Sequence, residues 1–210
     1  MPASVAHGIT HQPPPPPVEH EWGGGGEGRG SSRRASFAGL FLMSAASAMV
    51  FAAFTAAFIA RRGLSDDWAG IPKPPILWVN TAILLLSSLA LEAGRHALKT
   101  GARARFTAFW TAATALGVLF LLGQTAAWMQ LRSAGIYVAT SAGSSFFYVL
   151  TAAHAVHLLP AVAALAWVDV QALRLRLGPA RRTAIDITAL FWHFLDSIWI
   201  LLMVLFYVWA

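Results

Sequence analysis

Apolar residues fall into five blocks separated by short polar connectors, at about Phe37–Ala60, Ile76–Ala93, Phe106–Met129, Ala142–Val168 and Ile185–Trp209. Each is close to the ~17–25 residues that a tilted helix needs to cross a bilayer core. Lipid accepts only segments that satisfy their own backbone, and the short alternating segments of a membrane barrel are absent. The pattern predicts an all-α fold: an integral membrane bundle of five transmembrane helices within residues 36–210. Pro72, Pro74 and Pro75 precede the second block, where proline suits a helix start.

Residues 1–35 are different material. Pro13 to Pro17 form a proline run, Gly23 to Gly26 a glycine run, and His7, His11 and His20 are scattered among them. With so few apolar side chains the segment cannot offset its ordering entropy, and a disordered polar arm is expected. Apolar sequence starts only at Phe37, too far along for a secretory signal.

Composition agrees with the blocks. Hydrophobic residues make up 57% of the chain and charged residues 11%, with a mean hydropathy of +0.60. A water-soluble domain carries about 25% charged residues, so a soluble enzyme is excluded. The net charge of +6 is explained by where the basic residues lie, not by nucleic acid. Arg29, Arg33, Arg34, Arg95, Lys99, Arg103, Arg105, Arg174, Arg176, Arg181 and Arg182 share one side of a five-span layout, against Arg61, Arg62, Lys73 and Arg132 on the other. That bias predicts a cytoplasmic N-terminus and an external C-terminus in a multi-pass membrane protein. Trp68, Trp78, Trp128, Trp167 and Trp209 fall near block ends, as interfacial aromatic belts do. There is no cysteine, so thiolate chemistry and disulfides are excluded.

Polar groups inside apolar blocks need a partner or a function. They are Gln124 in the third block, His154 and His157 in the fourth, and His193 and Asp196 in the fifth, with Glu92 near the end of the second. His154 and His157 share a helical face, as do His193 and Asp196. Three readings are open: interhelical packing, metal or haem ligation, and proton relay. A b-type cytochrome would use His154 or His157 with His193, and a small proton channel would use His193 and Asp196. No HExxH, nucleophile elbow or phosphate-cradling loop occurs, so the packing reading asks least of the chain, and no metal site is expected. His193 and Asp196 are expected to bond each other or a neighbouring helix, through His154 or His157. Trp192 and Trp199 flank them, and Ala45, Ala46, Ala48, Ala52, Ala53, Ala56 and Ala57 give the first block a small-residue surface.

Four segments in order resemble one family. Phe191-Trp192-His193-Phe194-Leu195-Asp196-Ser197-Ile198-Trp199 is similar to the last helix of subunit III of haem-copper terminal oxidases. Phe146–His157 resembles its FF-x-LTG-x-HG-x-H helix, and Asn80–Ser88, with Asn80 and Ser87, its NT-x-LL-x-SS helix. Gly123-Gln124 with Trp128 is similar to its Q-x-x-EW region, although Ala127 replaces the glutamate and Ala155 a glycine. The resemblance implies the short five-helix bacterial form and a non-catalytic role: supporting assembly, lipid retention and proton uptake of the oxygen-reduction site. It implies haem and copper in subunit I, direct contact with subunit I, further contacts with subunit II, and bound phospholipid. No cofactor on this chain and no nucleic-acid partner are expected. Quinol oxidase and nitric oxide reductase complexes are the alternatives. Arg95, His96, Arg103 and Arg105, near Glu92, are the lipid-headgroup candidates it suggests.

Overall fold

The structure, a computed structural model, describes residues 27–64, 73–174 and 179–208, with side chains described from Arg33 and, in the last helix, from Arg182. Among the described residues five helices run in chain order: α1 Glu27–Leu64, α2 Ile76–Lys99, α3 Arg103–Ser133, α4 Ala142–Leu173 and α5 Pro179–Val208. All five are long and apolar enough to span a membrane, and the protein is a multi-pass, all-helical membrane protein. Helix α1 starts at Glu27, so Glu27 to Ala35 are helical where a disordered arm is expected. The rest of that segment, with Trp68, Pro72 and Trp209, lies outside the described residues.

The helices outlast their apolar blocks, because an apolar run measures hydrocarbon thickness while the backbone stays helical into the headgroup region. Two of them, α2 and α3, end on glycine. Helix α2 closes at Gly101 and α3 at Gly135, both with φ 78, a conformation that costs glycine little. At α2 the Gly101 and Ala102 amides donate back to Leu98 and Ala97, and at α3 the Gly135 and Ile136 amides donate to Arg132 and Leu131. These are paired Schellman bonds. Helix α4 opens on a capping box, Ser141 with Ser144, and carries Pro160 without ending.

Helices α2 and α3 form the closest pair, an antiparallel hairpin. From Leu77 to Gly94 the buried positions of α2 are Leu77, Asn80, Leu84, Ser87, Leu91 and Gly94. Those of α3 are Phe106, Trp110, Ala113, Gly117, Phe120, Gln124, Ala127 and Leu131. Both alternate steps of three and four, the seam of a left-handed coiled pair. Small residues let the backbones approach: a Cβ on Gly94 would lie 3.6 Å from the Phe106 carbonyl oxygen.

Helix α5 is the central post. It packs against α1, α2 and α4, while α3 touches α2 and α4, and α1 touches α4 and α5. Its Trp192, Leu195, Trp199, Leu202 and Phe206 are buried toward the core. Helix α1 is the outlier. Only Ser47, Phe51 and Phe58 bury against the bundle, while Phe41, Leu42, Met49 and Val50 stay exposed.

Candidate functional site

Helices α2 and α5 run antiparallel, and their register is pinned at both ends. At one end Arg95 Nη2 lies 3.0 Å from Asp186 Oδ1; at the other the rings of Trp78 and Tyr207 stand 4.8 Å apart. Between them lies a continuous polar string. Arg95 Nη1 donates to Glu92 Oε1 at 2.6 Å. The same oxygen lies 2.8 Å from His193 Nε2. His193 Nδ1 lies 3.2 Å from Ser88 Oγ, and Ser88 Oγ donates to Asp196 Oδ2. The string runs from an open mouth to a buried end: the Glu92 side chain is 50% exposed and Asp196 only 7%. The other carboxylate oxygen of Asp196 is buried without a partner.

This corrects the expected pairing. His193 and Asp196 do bond another helix, but that helix is α2, and their partners are Ser88 and Glu92 rather than His154 or His157. Helix rotation explains the difference. The Trp192 and Trp199 rings, seven apart, lie against α3 and α4 with the Trp199 Nε1 edge on α2, and His193 and Asp196, about 100° and 40° around the helix from Trp192, come to face α2.

His154 and His157 play separate parts. His157 Nδ1 donates to the Ala153 carbonyl of its own helix at 2.7 Å. His154 is fully buried among Phe51, Phe120 and Trp199, with ring centroids 6.3, 5.9 and 5.1 Å away. Neither of its ring nitrogens has a hydrogen-bond partner. An imidazole that bonds nothing gains nothing from its polarity, and desolvating it costs energy. His154→Phe is therefore expected to leave stability unchanged or to raise it by up to about 1–3 kcal/mol, read as the unfolding midpoint in mixed micelles. A loss on the scale of a core truncation would mean that those nitrogens carry a bond.

The other polar candidates join helices. Asn80 Nδ2 donates to Gln124 Oε1 at 3.5 Å, and Ser87 Oγ donates to the Ala113 carbonyl at 3.0 Å. Trp199 Nε1 donates to Thr81 Oγ1 at 3.0 Å. Trp192 is buried with its ring edge against Gly117, where a Cβ would lie 2.7 Å away. Of the four lipid candidates, Arg95 is engaged by Glu92 and Asp186, while His96, Arg103 and Arg105 are exposed. Beside Arg95 a cavity of about 130 Å³ is lined by Leu98, Lys99, Arg182, Ile185 and Asp186.

Sequence reasoning missed Asp186 and Asp169. Both are carboxylates within membrane-length helices, a signal that marks a functional or paired group. Asp169 Oδ1 accepts from Thr111 Oγ1 at 2.6 Å, joining α4 to α3. It also missed the role of Ser88, whose hydroxyl gives no signal until the helix facing it is known. Among the described residues, no three His, Asp or Glu side chains come together as a metal-binding group.

Comparison with known proteins follows the same lines. A protein of Nocardia farcinica described as probable cytochrome c oxidase subunit 3 is 27% identical over 175 residues, covering 81% of this chain and 79% of its own. Cytochrome c oxidase subunit 3 of Synechocystis sp. is 28% identical, covering 80% of this chain and 73% of its own. That of Thermostichus vulcanus is 29% identical, covering 81% and 85%. The profile of the family described as cytochrome c oxidase subunit III matches residues 35–210, a range that takes in all four motifs and all but the first turns of α1, and the chain belongs to that family.

Proposed function

We propose that this chain is the non-catalytic subunit III of a bacterial cytochrome c oxidase, lying against subunit I and assembled with subunit II and other respiratory subunits. The carrying observation is how its polar side chains are used. Asn80, Gln124, Ser87, Trp110, Thr81 and Trp199 bond helix to helix, the work of a scaffold. The exposed apolar face of α1 offers a surface for a partner helix, with small residues that allow close approach. Haem and copper belong to subunit I in this reading, and the N-terminus faces the cytoplasm, as the charge bias favours.

Two supporting roles go with it. Arg95, Lys99 and Arg182 around the cavity between α2 and α5 suit the phosphate of an anionic lipid, with His96, Arg103 and Arg105 on the same side of the layout. The string from Glu92 to Asp196 suits a part in proton uptake.

Purification of the tagged chain from its native membrane in mild detergent tests the assignment. Haem-bearing and copper-bearing subunits should come with it in fixed proportion, and the chain expressed alone should lack a Soret band. Stoichiometric haem in the isolated chain would replace this reading with that of a b-type cytochrome.

A further inference from the structure

Four side chains on two helices form an unbroken hydrogen-bonded string with one half-exposed end and one buried end. Glu92 is half exposed. His193 touches Glu92 through Nε2 and Ser88 through Nδ1, so its two nitrogens face opposite directions along the path. Ser88 touches Asp196, which is buried with a second oxygen that bonds nothing. A scaffold needs only that each polar group be satisfied. It does not need them joined in series, with an imidazole between two carboxylates and an unbonded oxygen at the end.

We propose that Glu92, His193, Ser88 and Asp196 form a reversible proton wire that loads and unloads a proton on Asp196 from the end of the bundle where Arg95, Lys99 and Arg182 gather. This deepens the proton-uptake reading above and rests on it for physiological use, while the exchange itself belongs to this chain. The steps balance. With a proton on Glu92 and His193 protonated on Nδ1, the Glu92 O–H breaks as His193 Nε2–H forms. The Nδ1–H breaks as a new Ser88 Oγ–H forms, and the original Ser88 O–H breaks as Asp196 Oδ2–H forms. The net change is one proton moved from Glu92 to Asp196, with every intermediate group returned to neutrality. The same steps in reverse discharge it.

The charged surroundings are few. Arg95 lies between Glu92 and Asp186 at the mouth. On α4, which packs against α5, His154 and His157 make no bond to the string, and Asp169 is taken by Thr111. Between Arg34 and Arg61, α1 carries no ionisable side chain. On α3, packed against α2, Arg103, Arg105 and Arg132 lie in the first and last turns. Among the described residues the string is therefore the one bonded route from the half-exposed Glu92 to Asp196.

The test is time-resolved infrared spectroscopy on the purified oxidase complex, or on the full chain in detergent, after a light-triggered pH jump. A protonated-carboxyl C=O band that disappears in Asp196→Asn reports the proton on Asp196. In Ser88→Ala the rate of its appearance should fall about a hundredfold or more, the lower end of what a positioned proton-transfer group contributes. Ser88→Thr, which keeps a hydroxyl, should restore the rate. His193→Phe should behave as Ser88→Ala does, and if it fails to fold the two Ser88 variants decide. An unchanged rate in Ser88→Ala, or the absence of any band sensitive to Asp196→Asn, overturns the wire. The outcome is separable from the subunit assignment, because co-purification with haem is read independently of the carboxyl band.

Discussion

Trp199→Ala is expected to cost about 3–5 kcal/mol, the range for removing a large buried aromatic. The indole is 1% exposed and touches three neighbouring helices at once. It stands edge-on to Phe120 of α3 at 4.9 Å, lies 5.1 Å from His154 of α4, and bonds Thr81 of α2, all from α5. Between membrane helices, lipid tails compete for apolar contact, so packing and interhelical bonds carry the association. Removing this ring opens a cavity at the meeting point of the bundle. Trp199→Phe keeps one six-membered ring and loses the pyrrole ring with its Thr81 bond, so its cost should fall between about 1 kcal/mol for the bond alone and the alanine value. Trp167 is 50% exposed, and its truncation should change stability by less than about 0.5 kcal/mol. Unfolding midpoints in mixed micelles check the order, and equal losses at Trp199 and Trp167 would sink the account.

The second large effect comes from adding one methyl group. A Cβ on Gly123 would collide with the Asn80 side chain, which is fully buried and tied to Gln124. Asn80 is enclosed, so either its side chain gives up the Gln124 bond or α2 and α3 separate. Gly123→Ala is expected to cost about 1–3 kcal/mol, the usual cost of overpacking. In an Asn80→Ala background the clash is gone and the same change should cost less than about 0.5 kcal/mol. Gly39→Ala is the control, because nothing lies within 4 Å of the added Cβ. Additive losses at Gly123 and Asn80 would mean that the two residues do not meet as described.

The sequence shows which ionisable residues lie within the apolar blocks, and it does not show what they bond. Glu92, His193 and Asp196 stand out because ionisable groups are rare in membrane helices. Their joining through Ser88 does not, since a serine in an apolar helix ordinarily bonds its own backbone, as Ser47 does to the Met43 carbonyl. His154 and His157 look like a pair by spacing. Yet one is enclosed by aromatic rings from three helices and the other turns back to its own carbonyl. Spacing says which groups share a face, and it does not say what that face meets.

The number, type and order of the helices were determined by the sequence itself, because in lipid every backbone group must be satisfied within its own segment. A run of apolar residues long enough to cross is then sufficient evidence. The family was legible for a related reason: its motifs sit within single helices, where the spacing of residues in sequence is also their spacing in space. Tertiary structure alone decided the partners. Helix α5 stands at the centre against three others, α1 leans on the bundle by one narrow face, and α2 and α3 close on a small-residue seam. Those outcomes depend on how each helix is rotated and shifted against the next. Residues far apart in the chain set that rotation by packing together, and no periodicity within one helix records it.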